Sequence, residues 1–121
     1  MHNNILLPIE IETRELDYKL YLAAFFSEKN TVYLGQHDYL YEVSKFMTGG
    51  IYLGKNQFSI YPDGSWRDRH NKLKKNGFSV IHLDEEGIFW GDDENHRQRL
   101  NRRMDLDQIT RNDYICTWGS F

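Results

Sequence analysis

A cluster of charged side chains follows the first apolar run of the chain. Its members carry charges of both signs within ten positions and are Glu10, Glu12, Arg14, Glu15, Asp17 and Lys19. A carboxylate held near a hydroxyl can act as a general base or bind the hydroxyl, so Glu10 and Glu12 are the candidate catalytic residues. Arg14 could hold an anion together with backbone N–H groups at the start of a helix.

The competing interpretation of this cluster is structural. Acidic residues such as Glu15 and Asp17 are common in the first turn of a helix because they complement its dipole, and they can pair with Arg14 and Lys19. Spacing alone favours this structural role.

Two further charged groups lie later in the chain. Asp84, Glu85 and Glu86 precede Gly87 and could bind a metal, orient sugar hydroxyls or supply a base, although Asp and Gly are also ordinary turn formers. The second group is basic and could bind phosphate or an anionic glycan, but a solvated helix face is the favoured interpretation. Its members are His96, Arg97, Arg99, Arg102 and Arg103.

The elements that must position these groups alternate between strand and helix. Strands are predicted over 4–11, 31–35, 51–53, 78–83 and 114–118, and helices over 14–29, 38–47, 65–76 and 92–104. Thr13, Asp38 and Ser65 are the predicted helix starts, and Gly77 is a predicted helix end. This alternation predicts an α/β, three-layer, Rossmann-like domain with a five-stranded parallel sheet in the order 3-2-1-4-5.

In that order, both acidic groups come at the carboxyl edge of the sheet, where open α/β sheets bind ligands. Glu10 and Glu12 are expected to point to the same side, because strand side chains alternate. His37 and His70 are predicted to be surface residues, and Trp66, Trp90 and Trp118 to serve core or edge packing.

Composition restricts the functional classes. The 121 residues suit a single domain, and 40% hydrophobic with 27% charged residues is typical of a soluble globular chain. A net charge of −3 gives no bulk attraction for nucleic acid. One cysteine, Cys116, excludes an internal disulfide, and neither a secretory signal nor a long apolar span is present, so a cytoplasmic location is predicted.

The absence of several motifs argues against a Rossmann dehydrogenase, a P-loop enzyme and a serine hydrolase. The chain has no Gly-x-Gly-x-x-Gly after its first strand, no Walker lysine loop, no Gly-x-Ser-x-Gly elbow and no histidine pair suited to zinc. A phospho-receiver domain needs an aspartate after the third strand and a lysine after the fifth, and residues 51–54 and 117–119 supply neither. No metal ligand set is predicted.

Three blocks in order resemble the N-terminal region of bacterial surface carbohydrate (surface polysaccharide) biosynthesis proteins. The blocks are residues 6–11 leading into Arg14-Glu15-Leu16-Asp17-x-Lys19-Leu20, then Leu83-Asp84-Glu85-Glu86-Gly87, then Trp118-Gly119-x-Phe121. The resemblance implies the acceptor-side domain of a GT-B-like glycosyltransferase, which transfers a sugar from a nucleotide-activated donor.

The same resemblance implies roles and partners. Glu10 or Glu12 would deprotonate or position an acceptor hydroxyl, Arg14 and Lys19 would hold an anionic group, and the 84–86 turn would bind sugar hydroxyls. The nucleotide sugar would be a substrate bound mainly by a second, donor-binding domain, with no other cofactor. Peripheral membrane association stays open.

Members of that family continue beyond the position that aligns with Phe121. The expectation is therefore an incomplete first domain of a two-domain protein, inactive as this fragment alone. The alternative is a non-catalytic binding or interaction module that pairs with a separate donor-binding domain.

Overall fold

A computed structural model of the chain describes residues 2–55, 63–83, 94, 98 and 106–116. The strands are β1 (Asn4–Ile9), β2 (Thr31–Gln36), β3 (Gly50–Gly54), β4 (Phe78–Leu83) and β5 (Tyr114–Cys116). The helices are α1 (Glu12–Ser27), α2 (His37–Ser44) and α3 (Ser65–Lys75), with a short 3₁₀ helix at Leu106–Gln108. The acidic group at 84–86, Trp90 and Trp118 lie outside the described residues, as do all members of the basic group, His96, Arg97, Arg99, Arg102 and Arg103.

The five strands form one sheet in which every pair is parallel. The predicted α/β class, the number of strands and their parallel pairing are therefore confirmed. The observed order is β2-β1-β3-β4-β5, so β3 lies between β1 and β4. In the predicted order, 3-2-1-4-5, β3 lay outside β2 instead.

Two apolar clusters on opposite faces of the sheet explain why β1 is a central strand. Leu6 packs with residues of α2 and α3, whereas Ile5 and Leu7 pack with residues of α1. A strand that is apolar on both faces is stable only where both faces are covered. Burying Leu6 and Leu7 completely contributes roughly 1.5–3 kcal/mol each.

Gly50 permits the close approach of β3 to β1. A Cβ atom at this position would lie 2.4 Å from the carbonyl oxygen of Asn4, and the glycine has φ of 143°. No side chain fits at that distance, so the glycine allows β3 to start directly beside β1.

Helix α1 buries charged residues in its first half and apolar residues in its second. Glu15 and Lys19 are its fully buried side chains, and Leu22, Ala23 and Phe26 pack against the core further along. The first turns of α1 follow directly after β1, so the buried charges lie near the carboxyl end of that strand.

The helix starts differ from the predicted ones. α1 begins at Glu12, after Ile11, so Thr13 is inside the helix. The side chain of Gln36, not Asp38, caps α2 by accepting hydrogen bonds from the N–H groups of Asp38 and Tyr39, at 2.8 and 3.2 Å.

The boundaries of α3 follow the predicted turn chemistry more closely. Gly64 precedes the helix, and the Asp63 carboxylate accepts a hydrogen bond from the N–H of Ser65 at 3.0 Å. Gly77 follows the helix with φ of 85°, which confirms it as the predicted left-handed end. Among the helices that the structure describes, none is long and apolar enough to span a membrane.

Candidate functional site

The candidate site lies at the carboxyl ends of β1 and β3. The chain leaves β1 for β2 on one side and reaches β3 on the other, so the direction of strand order reverses between these two strands. Open α/β sheets bind ligands at such a reversal. A small cavity opens there, lined by Pro8, Glu10, Glu15, His37, Lys55 and Trp66.

Glu10 and Lys55 form an ion pair across this edge. Lys55 Nζ lies 2.9 Å from Glu10 Oε2, with the lysine side chain 7% exposed and the glutamate side chain 35% exposed. Because Lys55 is buried and Glu10 is not, the lysine fixes the carboxylate in place while part of the carboxylate stays accessible. Glu10 is thus the accessible acidic group of the cavity.

The buried carboxylate of Glu15 binds the backbone at Glu10. Its carboxylate accepts hydrogen bonds from the N–H of Glu10 at 3.2 Å and the N–H of Ile11 at 2.6 Å. It also lies 3.9 Å from Lys55 Nζ and 3.8 Å from the Arg14 guanidinium. The buried carboxylate therefore fixes the turn between β1 and α1 and helps to balance the charge of Lys55.

Lys19 is fully buried beneath the same turn. Its Nζ donates a hydrogen bond to the carbonyl oxygen of Pro8 at 2.8 Å. Burial lowers the pKa of Lys19 to about 8, while the charge of Glu15 opposes this shift and the charge of Lys55 adds to it. Lys19, Glu15, Lys55 and Glu10 thus form a row of alternating charge from the interior to the cavity.

The lowered pKa of Lys19 predicts a rise in stability under alkaline conditions. Between about 8 and the ordinary value of 10.5, the unfolded chain binds more protons than the folded one, so the free energy of unfolding rises with pH. From about pH 7.5 to about pH 9.5 the expected gain is roughly 1–2 kcal/mol. Urea unfolding at the two pH values measures it.

Lys19→Met is the control for this gain, since methionine keeps the length of the side chain without its ionisable amine. We expect the variant to lose the pH-dependent increase. An equal increase in the wild type and the variant would assign the effect to another group.

Two aromatic side chains, His37 and Trp66, line the same cavity as the ion pair, and Arg69 packs against Trp66. The rings of His37 and Trp66 lie 6.0 Å apart at a tilt of 39°, and the Arg69 guanidinium lies 5.2 Å from the Trp66 ring. Arg69 also pairs with Asp38, and its hydrogen bond is the main reason that the pKa of Asp38 is lowered. The half-buried indole of Trp66 therefore has both His37 and Arg69 as neighbours.

A groove on the other side of Glu10 extends toward β2. It is lined by Ile9, Glu10, Glu12, Leu16, Gly35 and Gln36. Glu10 and Glu12 share this groove, although strand alternation is not the reason, because β1 ends at Ile9 and Glu12 is the first residue of α1.

The structure brings together most of the residues in the first predicted cluster. Glu10, Glu15 and Lys19 belong to one charged row, Arg14 lies at its margin, and Glu12 lines the adjoining groove. Asp17 is exposed on α1, outside both cavities. Asp84, Glu85 and Glu86 stay predictions, because they lie outside the described residues.

The sequence did not predict three of the residues that line the cavity to belong to a functional site. Lys55 was not considered, His37 was assigned to the surface and Trp66 to packing, yet all three line the cavity. The position of Lys55 immediately after a strand, like that of Glu10, was the available signal.

A second polar cluster lies away from this cavity, around the buried carboxylate of Asp113. It accepts hydrogen bonds from Lys74 at 2.8 Å, from the N–H of Val80 at 3.2 Å, and from the N–H and hydroxyl of Thr110 at 2.9 and 2.8 Å. His70 Nε2 lies 3.0 Å away. His70 is fully buried, so its prediction as a surface residue was wrong.

Hydrogen bonding determines the ionisation of Asp113. Burial by itself raises the pKa of this carboxyl, but the hydrogen bonds from Lys74, Thr110 and His70 outweigh burial and bring the pKa down to about 2. The charged carboxylate joins α3, β4 and the segment before β5. The cluster therefore stabilises the packing of these elements against one another.

Within the described ranges, no three side chains of His, Cys, Asp or Glu are grouped as ligands of a metal ion. Comparison of the chain with family models, curated proteins and solved structures finds no match in any of the three.

Proposed function

We propose that this chain is the acceptor-side domain of a glycosyltransferase-like protein of bacterial surface polysaccharide biosynthesis. The observation that carries the proposal is the partly exposed carboxylate of Glu10, fixed by Lys55 at the carboxyl end of β1 and in the same cavity as Trp66. The sequence resemblance of the blocks around residues 6–20 and 83–87 supports the same assignment.

The chemistry of the cavity suits a neutral polyhydroxylated ligand. A carboxylate accepts hydrogen bonds from sugar hydroxyls, and an indole offers an apolar face with a polar N–H for the ring of a sugar. The two carboxylates that line the cavity, Glu10 and Glu15, are balanced by Lys55 in the lining and by Lys19 buried behind it, so a charged ligand gains little from the cavity. A neutral sugar acceptor is therefore favoured over a phosphate or a carboxylate.

In the proposed reaction, Glu10 receives the proton of the acceptor hydroxyl. The hydroxyl oxygen attacks the anomeric carbon of the nucleotide sugar, and the bond from that carbon to the diphosphate oxygen breaks. The nucleoside diphosphate leaves with the bonding electron pair, and the proton passes to the carboxylate. Lys55 and Glu15 act as positioning residues, and a donor-binding domain in the same or another chain supplies the nucleotide sugar.

Sugar binding tests the acceptor assignment directly. Titration of the ¹⁵N-labelled chain with glucose, galactose, mannose and N-acetylglucosamine should give saturable NMR shifts at Ile11, Lys55 and the indole N–H of Trp66 for at least one sugar. Glu10→Gln should weaken that binding roughly tenfold or more, because a charged acceptor is lost.

Glu28→Gln is the matched control, because Glu28 is exposed at the opposite end of α1. This variant should bind sugar with the affinity of the wild type. A folded protein that shows no saturable shift with any of the four sugars would contradict the proposal. Equal sugar affinity of Glu10→Gln and the wild type would show that Glu10 does not bind the sugar.

A non-catalytic binding module is the second candidate. The short contact of Glu10 with Lys55 favours it, because a carboxylate paired with a cation is a weaker base but can still accept a hydrogen bond from a ligand. A homologous protein with both domains distinguishes the two. Glutamine at the position of Glu10 should lower kcat about a hundredfold if the residue is the base. Unchanged kcat with a raised acceptor KM would favour the binding role.

A further inference from the structure

We propose that His37 is a second sugar-binding residue of the candidate site, whose ring nitrogen Nδ1 accepts a hydrogen bond from one hydroxyl of the acceptor. The inference rests on the proposed function, because it names the part of the sugar that the same cavity recognises. Two observations carry it: the hydrogen bond that orients the His37 ring, and the buried ring nitrogen on its other side.

His37 is the first residue of α2 and belongs to the cavity. It lines the cavity together with Glu10 and Trp66, the carboxylate and the indole that the proposed function assigns to the sugar. The His37 side chain is 22% exposed, so its ring is neither free in solvent nor enclosed in the core. A ligand in the cavity therefore lies next to the imidazole as well as the carboxylate.

Asp38 determines which ring nitrogen of His37 carries the proton. His37 Nε2 lies 3.2 Å from Asp38 Oδ1. A hydrogen bond from Arg69 is the main reason that the pKa of Asp38 is lowered, so this carboxyl is ionised at neutral pH and can only accept hydrogen bonds. In the neutral imidazole Nε2 must then be the donor, which leaves Nδ1 as an acceptor.

The Nδ1 atom of His37 is the unsatisfied part of this arrangement. It is buried, and no group among the residues that the structure describes forms a hydrogen bond with it. Buried polar atoms without a partner are rare in folded proteins, and each one needs an explanation. A ligand hydroxyl supplies the missing donor, and the side-chain rotations that admit a ligand to such an atom are common on binding.

The two acceptors define the kind of ligand that fits. The Glu10 carboxylate and His37 Nδ1 each require a hydrogen-bond donor from the ligand, and a sugar hydroxyl is such a donor. A fully ionised phosphate or carboxylate has no proton to offer to either. The cavity should therefore recognise a pair of hydroxyl groups on one sugar, and a sugar that lacks one of them should bind more weakly.

Monodeoxy sugars test this inference on the full chain. The sugar that binds the wild type is compared with its monodeoxy forms by NMR titration, for the wild type and for His37→Gln. Glutamine can keep a hydrogen bond to Asp38 but has no atom at the position of Nδ1, so we expect it to weaken binding of the parent sugar roughly three- to tenfold.

One monodeoxy form should show the same loss with the wild type. It should show no further loss with His37→Gln, because the partner of the missing hydroxyl is already absent in that variant. Every other monodeoxy form should lose the same factor with both proteins. This non-additivity identifies the hydroxyl that His37 binds.

Two further variants serve as controls. His37→Asn places an amide group near the position of Nδ1 and should restore sugar affinity to within about twofold of the wild type. His2→Gln should leave the affinity unchanged, because His2 is exposed and contacts Thr31 at the start of β2, at the opposite end of the sheet.

The ring nitrogens of His37 can also be observed in the wild type, without any substitution. At about pH 8.5, where ordinary histidine side chains are neutral, the long-range ¹H–¹⁵N spectrum should show Nε2 protonated and Nδ1 unprotonated. The Nδ1 resonance should shift as sugar is added, because the nitrogen then accepts a hydrogen bond.

Any of three results would overturn the assignment of His37 while sugar binding itself persists. These are wild-type affinity of His37→Gln, equal losses for all monodeoxy forms in the two proteins, and a protonated Nδ1 in the free protein. A chain that binds none of the sugars would instead contradict the proposed function, and with it this inference, so the two failures are distinguishable.

Discussion

Replacing Asp113 with alanine is expected to lower the free energy of unfolding by about 3–5 kcal/mol. The substitution leaves Lys74 and His70 without the carboxylate that accepts their hydrogen bonds, and it also leaves the N–H groups of Val80 and Thr110 without theirs. Buried donors that lose an acceptor cost free energy because water cannot replace it. Urea unfolding at neutral pH measures the loss.

Asp113→Asn and Asp17→Ala are the comparison variants for this experiment. Asparagine keeps the size of the side chain and one oxygen, so its loss should be smaller than that of alanine. Asp17 is exposed, and its replacement should change stability by no more than about 0.5 kcal/mol. A loss below about 1 kcal/mol for Asp113→Ala would show that the cluster does not join α3, β4 and β5 as described.

The same carboxylate gives the wild type a defined acid sensitivity. Its folded-state pKa of about 2 lies below the ordinary value of 3.8, so its contribution to stability is complete above about pH 4 and is lost as the pH falls toward 2. Asp113→Asn, which cannot ionise, should lack this part of the acid dependence.

Replacing Glu15 with alanine is expected to cost about 3 kcal/mol or more and to disorganise the candidate site. The substitution removes the acceptor of two backbone N–H groups, at Glu10 and Ile11, and the negative charge between two buried lysines. Lys19 and Lys55 then lie close together without their shared partner. Urea unfolding measures the stability, and the NMR shifts of the Glu10 and Ile11 amides report the turn.

Glu12→Ala provides the contrast, because Glu12 is exposed in the same first turn of α1. It should change stability by about 0.5 kcal/mol or less. If Glu15→Ala proves as mild as Glu12→Ala, the buried carboxylate is not the support of Glu10, and the amide shifts at Glu10 and Ile11 should then stay small.

The periodicity of the sequence predicted the elements well because each is specified locally. Phe78 to Leu83 is bounded by Gly77, whose left-handed conformation ends α3, and β4 has these bounds in the structure. Helix starts were less predictable. Gln36 caps α2 although glutamine is not a usual cap, so the residue type gave no signal.

Strand order was not predictable from the same local patterns. Strand alternation and right-handed crossovers are satisfied both by β3 outside β2 and by β3 beside β1. The feature that permits the observed arrangement is the contact of Gly50 with the backbone of Asn4, and in the sequence this glycine reads equally well as the end of a helix.

The error in strand order explains why Lys55 was missed. In the predicted order β2 separates β3 from β1, which places the end of β3 roughly 9–10 Å from Glu10, at two strand spacings. In the observed order the strands are neighbours, and Lys55 Nζ lies 2.9 Å from the carboxylate. The cluster around Asp113 was missed for a related reason, because His70 and Asp113 are 43 positions apart.

The row of alternating charges has a consequence for how this site can change over evolutionary time. Lys19, Glu15, Lys55 and Glu10 balance in sign, so a single replacement leaves an uncompensated charge in or near the interior. Paired replacements that remove one cation and one anion preserve neutrality. Homologous chains should therefore keep all four residues or lose them in oppositely charged pairs, and any homologue that retains an odd number of them should have acquired a compensating charge nearby.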